Sequence, residues 1–351
     1  MGSRPKYGES IAVIMKKASQ VAVSFLLPGL LLLAGCRGTV GELSEKTDVT
    51  FSIFEADSRT TVTSGEGSVG NWVLLLYRDG KLVDVGMSGT KAPIQRTLKA
   101  GSYTAYAIAN PPSSFIPEAY STFAMFSRAE SNLRDNYPSQ LVMFGSQTIS
   151  VPVRNGRPQA IVVNRLVAKI IIRKISTDFI DPSLQSRTFR LNAIYLTNCY
   201  GKTHIRRDEN ASEMEANASC WYNRMGFDID SGVDDLLADR RIDATITASS
   251  PYEQEHHFYC YPNQADRDSR SENWSIRHTR LILEAEISGK TYYYSITLPA
   301  MQRNKTYIVE EAVIRNLGST DPEKDEPGSI DIFFDTSIDD WGQDYMVHEN
   351  S

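Results

Sequence analysis

Histidine, cysteine and tryptophan are scarce in this chain, at five, four and four residues of 351. The cysteines, Cys36, Cys199, Cys220 and Cys260, include no C-x-x-C pair, which argues against a zinc cage. No histidine accompanies a recognisable nucleophile motif, and G-x-S-x-G, H-E-x-x-H and phosphate-binding loops are missing. The nearest approach to a metal cluster is His256-His257 with Cys260, but adjacent histidines on a strand face opposite sides. Asp321, Glu323, Asp325 and Glu326 are interrupted by Pro322, Lys324 and Pro327 and lack calcium-loop spacing. The chain therefore reads as a non-enzyme with no catalytic, cofactor or metal residues. Neither sign of charge dominates: 37 Lys and Arg against 43 Asp and Glu leave a net charge of −6, which gives no reason to expect a nucleic-acid partner. A long apolar run is lacking too. The longest, from Val21 to Leu33, spans about 13 residues, contains Pro28, and falls short of the ~20 that cross a bilayer.

That short run has a different meaning. Lys16 and Lys17 precede it, and Leu33-Ala34-Gly35-Cys36 closes it, so residues 1–36 read as an export signal ending in a lipobox. Met15 is a plausible alternative start. In this reading Cys36 is acylated, for instance with palmitate, and becomes the new N-terminus. The expected partners are the lipoprotein export and acylation machinery and, through the lipid, the outer membrane. An oxidising compartment would permit one disulfide among Cys199, Cys220 and Cys260 with one thiol left over, and all three pairings stay open.

Beyond Cys36, period-2 apolar alternation dominates. Strands are expected at Val49–Phe54, Trp72–Tyr77, Ser102–Ala109, Ile161–Val163, Lys169–Ile175, Thr188–Thr197, Ile242–Thr247, Thr279–Ile287, Thr291–Leu298, Lys305–Ile314 and Ile330–Thr336. Asp79-Gly80 and Ser288-Gly289 each divide an apolar run and predict hairpins. Phe123, Phe126 and Leu133 could share one helical face between Tyr120 and Asn136. Short strands with frequent turns predict an all-β chain of sandwiches. Polar Val153–Pro158 sets a boundary, giving domains at 37–160 and 161–351, with Arg206–Glu215 and Asp266–Asn273 as surface insertions. The aromatics Tyr292–Tyr294, Trp221-Tyr222, Tyr259 and Tyr261 could line a glycan-binding face, although aromatics in strands are more often core.

The two ends of the exported chain carry the sharper signal. Val49, Phe51 and Ile53 alternate with polar residues near the start, and Ile330, Ile332 and Phe334 alternate near the end. Trp341, Tyr345 and Val347 continue the second pattern more weakly. Between the first strand and the next lie polar Ala56–Thr61 and Ser64–Ser68, the kind of loop that proteases cut. A cut after Arg59, before Thr60, would free Val49–Phe54 and uncover a groove. The Ile330–Thr336 strand of a second copy has the matching rhythm to fill it. Groove and donor lie at different ends of the chain, so the contact would be head-to-tail and grow a filament.

These residues resemble the fimbrillins, lipoprotein-derived pilins of type V pili. The likeness is carried by Gly289–Tyr294, Arg303–Tyr307, Gly318-Ser319, Asp321–Glu323 and Trp341 in the second half, and by Arg59–Thr61, Leu74–Tyr77, Leu98, Ala100–Tyr103, Ala107–Asn110 and Arg165–Lys169 before them. It differs in having Asn316-Leu317-Gly318 where the family has Gly-x-Gly. The resemblance implies two transthyretin-like β-sandwich domains in tandem, with the short helical segment in the first. It further implies an outer-membrane lipoprotein destined for an extracellular pilus, cleavage by an arginine-specific protease at Arg59–Thr60, and polymerisation with other fimbrial subunits by donor-strand exchange in surface adhesion. Val49, Phe51 and Ile53 would mark the displaced strand, and Ile330, Ile332, Phe334, Trp341, Tyr345 and Val347 the donor. The alternative is a surface lipoprotein that does not polymerise, as a pilus anchor or tip or as a glycan binder.

Overall fold

Alternating β-branched and aromatic residues do form strands along the chain, and the computed structural model describes residues 46–55, 68–206, 221–222, 233–269, 276–322, 324–334 and 339–340. The architecture is all-β, with short helical turns, in the form of packed sheets. One sheet has seven strands in the order Lys81–Ser88, Trp72–Arg78, Gly101–Ala109, Met143–Val151, Gln159–Arg165, Lys46–Glu55, Ile94–Lys99. Downstream, Ile175–Thr177, Lys305–Ile314, Ala168–Ile172 and His256–Cys260 form a second sheet, with Ile330–Phe334 on the far edge of Lys305–Ile314. A third sheet orders Ala238–Asp239, Phe189–Thr197, Arg280–Ile287 and Lys290–Thr297. The Gln159–Arg165 strand belongs to the first sheet, so that sheet's chain continues past residue 160.

Trp72–Arg78 is buried on both faces, which is why its sequence reads as an unbroken apolar run rather than an alternation. Trp72, Leu74 and Leu76 join one buried cluster with Val49, Phe51 and Ile53. Val73, Leu75 and Tyr77 face a larger cluster that extends through Leu166, Phe258 and Leu283 to Ile314. Both predicted hairpins form. Asp79 and Gly80 have φ of 51° and 74°, and Ser288 and Gly289 have 53° and 78°. Positive φ at both central positions is the turn whose twist suits a two-residue hairpin.

Between Tyr120 and Asn136 the structure departs from the continuous helical face expected from spacing. The only α-helix there is a single turn, Phe123–Phe126, capped by Thr122, whose side chain accepts from the Met125 N–H. Glu130–Asn132 is then drawn into an antiparallel ladder with Lys202–His204. A 3-10 turn follows at Leu133–Asp135, framed by reciprocal hydrogen bonds between Asn132 and Asp135. Phe126 and Leu133 are still buried in the same cluster. Separate turns, fixed by strand pairing, put them on one side where a helix would also have done so.

Gly145 is required by a close approach. After pairing Met143 with Arg165 and Phe144 with Asn164, the Gln159–Arg165 strand swings away to pair with Lys46–Glu55. A Cβ on Gly145 would lie 2.0 Å from the Val162 carbonyl oxygen. Gly145→Ala is expected to destabilise the fold by about 2 kcal/mol or more, read as a lower thermal unfolding midpoint. Gly89→Ala, where a new Cβ meets nothing within 4 Å, should stay within about 0.5 kcal/mol of the parent.

Candidate assembly site: the leading and trailing strands

Lys46–Glu55 is not an edge strand. It pairs antiparallel with Ile94–Lys99, from Lys46↔Lys99 to Phe51↔Ile94, and parallel with Gln159–Arg165, from Phe51↔Gln159 to Glu55↔Val163. The alternation resolves as expected: Val49, Phe51 and Ile53 are 2%, 0% and 3% exposed. They pack in the cluster with Trp72, Leu74, Ile94, Leu98, Tyr103, Ile149 and Ile161. Phe54 faces outward beside Val162, and both are about half exposed. Three buried side chains at ~2 kcal/mol each contribute roughly 6 kcal/mol, and the two ladders add roughly 1 kcal/mol net per hydrogen bond, before ordering costs.

Polar contacts fix both ends of this strand. The Thr47 hydroxyl points at the carbonyl oxygens of Pro152 and Val153, at 3.0 and 2.8 Å, and Thr97 Oγ1 donates to Asp48 Oδ1 at 2.6 Å. Gly156, in the predicted linker, passes so near that a Cβ there would sit 2.1 Å from the Asp48 carbonyl oxygen. At the other end Lys91 Nζ donates to Glu55 Oε1 at 3.1 Å, and the buried Arg165 guanidinium lies 3.6 Å from Glu55 Oε2. Where the described chain resumes, Asn110 holds it. Its amide donates to Ser68 O at 2.8 Å and Leu141 O at 2.9 Å, and its oxygen accepts from the Gly70 N–H at 2.8 Å. Arg59 and Thr60 lie outside the described residues, between the two anchored points Glu55 and Ser68. Arg165 and Asn110 belong to stretches that resemble the fimbrillins, but nothing in the sequence alone gives them these contacts.

The trailing strand Ile330–Phe334 is bound differently. It runs antiparallel to Lys305–Ile314, from Ile314↔Ile330 to Val309↔Phe334, and among the described residues has no second neighbour. Ile330 and Ile332 are half-buried against the larger cluster. Phe333 and Phe334 are 55% and 38% exposed, although Phe334 lies opposite the buried Val309, beyond a register shift between Val309 and Glu311. The turn before this strand is pinned where the N–H groups of Arg315 and Asn316 donate to Ser329 O, at 2.8 and 3.2 Å. Arg315 also lies 3.1 Å from Asp331 Oδ2. Cys36, Trp341, Tyr345 and Val347 lie outside the described residues.

Of the other candidates several resolve into packing, while Tyr292 and Tyr293 are half-buried and the side chains of Trp221 and Tyr222 lie outside what the structure describes. Tyr259, Tyr261 and Tyr294 are buried in the larger cluster and cannot form a glycan face. Tyr261 ties the two halves, donating to Ser131 Oγ at 2.9 Å and accepting from Asn136 Nδ2 at 3.0 Å. His256 is buried, with Nε2 2.7 Å from the Tyr252 hydroxyl and Nδ1 3.2 Å from Asp239 Oδ2. Burial holds its imidazole below the ordinary pKa despite Asp239. His257 pairs instead with Glu255. Among the described residues no group of three His, Cys, Asp or Glu could hold a metal ion.

No known family profile matches the chain, and no curated protein does. Solved structures do. A protein from Bacteroides eggerthii DSM 20697, named as a candidate cell adhesion protein, superposes with TM-score 0.63 at 17% identity over 83% of this chain and 95% of its own. Another so named, from Parabacteroides distasonis ATCC 8503, gives 0.60 at 14% identity over 83% and 98%. A fimbrilin from Porphyromonas gingivalis W83 gives 0.57 at 12% identity over 82% and 96%. The chain has the fimbrillin-type fold, in agreement with the resemblance carried by its residues.

Phe51→Ala is expected to lower stability by about 3–5 kcal/mol, read from the denaturant midpoint, because it empties a site with no exposure. Phe54→Ala, three residues along on the outward face, should cost less than about 1 kcal/mol.

Proposed function

We propose that this chain is a structural subunit of a surface pilus, exported as a lipoprotein, cleaved, and polymerised by exchange of strands in surface adhesion. The observation that carries the reading is the place of Lys46–Glu55: an interior strand joined to the rest of its sheet through a polar segment that contains Arg59. Cleavage there would detach three buried apolar side chains and leave Ile94–Lys99 and Gln159–Arg165 each with an open edge. Such an edge is a template for another strand. The half-buried edge strand Ile330–Phe334 is the natural donor, since releasing it exposes far less apolar surface than releasing the leading strand. Similarity of fold to a fimbrilin and to proteins named for cell adhesion supports the same reading.

In this proposal Cys36 carries the lipid that holds the chain on the outer membrane, and an arginine-specific protease cuts at Arg59–Thr60. The sandwich built around Lys46–Glu55, whose chain runs on through Arg165, is then the accepting one and the rest of the chain the donating one, with other fimbrial subunits as the partners. Arg78 is a poor competing site, because it is paired with Lys81 in the hairpin ladder. The function is assembly rather than catalysis.

A chain that starts at Thr60 is expected to form a ladder of oligomers, while one that retains Lys46–Glu55 stays monomeric in size-exclusion chromatography. Ile330→Asp with Ile332→Asp in the shortened chain should abolish the ladder. A shortened chain that remains a folded monomer would overturn the reading. N-terminal sequencing of the protein from cells separates its versions: Thr60 marks a polymerising subunit, whereas lipidated Cys36 marks an anchor that keeps its first strand.

A further inference from the structure

Three arginines from distant parts of the chain meet in one cavity. Arg165 closes the Gln159–Arg165 strand, Arg206 lies just beyond Lys202–His204, and Arg303 stands just before Lys305–Ile314. With Phe144, Asn164 and Asn304 they line a volume of about 330 Å³, and Asn164 is exposed at its rim. Local hydrogen bonds hold this wall in place. Asn304, at φ 54°, donates its N–H to Val167 O at 3.0 Å and accepts the Arg165 N–H on Oδ1 at 3.1 Å. The Arg303 guanidinium donates to Thr203 Oγ1 at 2.8 Å, to Ile205 O at 3.1 Å and to His204 O, which fixes the chain leading into Arg206. The Arg206 guanidinium sits 4.4 Å over the Phe123 ring, and the Arg165 side chain is only 3% exposed. Glu55, 3.6 Å from Arg165, offsets one of the three positive charges, and no acidic side chain among the described residues lines the cavity.

We propose that this cavity binds an acidic sugar, with the sugar carboxylate held by the arginines. A guanidinium offers a carboxylate paired N–H donors, and such charge-assisted bonds are stronger than neutral ones. The volume falls at the lower end of the range that encloses small molecules and exceeds what a carboxylate alone would fill. The rest of the wall carries what a sugar ring requires. Asn164 and Asn304 supply amides for its hydroxyls, and Phe144 supplies an aromatic face for its apolar C–H side. Asn304 spends its oxygen on Arg165, so its nitrogen is the end left to donate. The site uses none of the tyrosines that the sequence offered as a glycan face, and it requires neither cleavage nor strand exchange.

Amide chemical-shift titration of the full, uncleaved chain tests the site. The probes are glucuronic acid and N-acetylneuraminic acid, with glucose, acetate and inorganic phosphate as controls. At least one acidic sugar should bind about tenfold or more tightly than every control, as expected when charge-assisted and neutral hydrogen bonds act together. Arg206→Ala should weaken that binding by about tenfold or more, and Arg206→Lys by less, because lysine keeps the charge without the planar fork. Asn164→Ala, on the exposed rim, should weaken it by about two- to tenfold. An unchanged unfolding midpoint in these variants shows that the fold is intact. Binding of neither sugar overturns the inference, as does acetate or phosphate binding as tightly as the sugar. Full affinity in both Arg206→Ala and Asn164→Ala overturns it too.

Discussion

One strand placed between two others organises the first half of this molecule. Lys46–Glu55 is the link by which Ile94–Lys99 joins the seven-stranded path, and it supplies the floor of the cluster beneath Trp72, Leu74 and Leu76. Its three inward residues leave almost no surface to water, and its backbone pairs with Ile94–Lys99 from Lys46 to Phe51 and with Gln159–Arg165 from Phe51 to Glu55. Hydrogen-bonded backbone and buried apolar area here act on the same ten residues, so the sheet depends on a segment from the start of the described chain.

The second half depends on a different arrangement. Lys305–Ile314 runs parallel to Ala168–Ile172 and Ile175–Thr177 on one edge and antiparallel to Ile330–Phe334 on the other. Its inward residues Tyr307, Val309, Ala312 and Ile314 join a cluster that reaches back to Val73 and Leu75. Tyr261, Ser131 and Asn136 add a buried polar tie, with each hydroxyl and amide engaged. Polar groups removed from water in this way favour one arrangement of the two halves over alternatives that would leave them unpaired.

Much of this was legible in the residues. Alternation at Val49, Phe51 and Ile53 gave the buried face of the leading strand correctly, and Asp79-Gly80 and Ser288-Gly289 marked turns whose backbone only a few residue types adopt readily. The pattern was weaker where tertiary pairing decides. Ile94–Lys99 buries only Ile94 and Leu98 among polar neighbours, too sparse a signal to stand out. A helical periodicity between Tyr120 and Asn136 was produced by two separate turns around a three-residue strand. Phe334 follows the right rhythm in sequence and lies opposite the buried Val309, yet at the end of its strand it stays 38% exposed. The Glu55–Arg165 and Asn110 contacts are set by chain segments far apart in sequence, which no local spacing encodes.

Bonding along both edges of Lys46–Glu55 also has a mechanical meaning. A pull along the axis of any segment seated there loads its two ladders in shear, so many weak bonds must slip at once. Peeling from one side would break them singly. Lys46–Glu55 is thus held against withdrawal along its axis by two ladders, whereas Ile330–Phe334 is held by one.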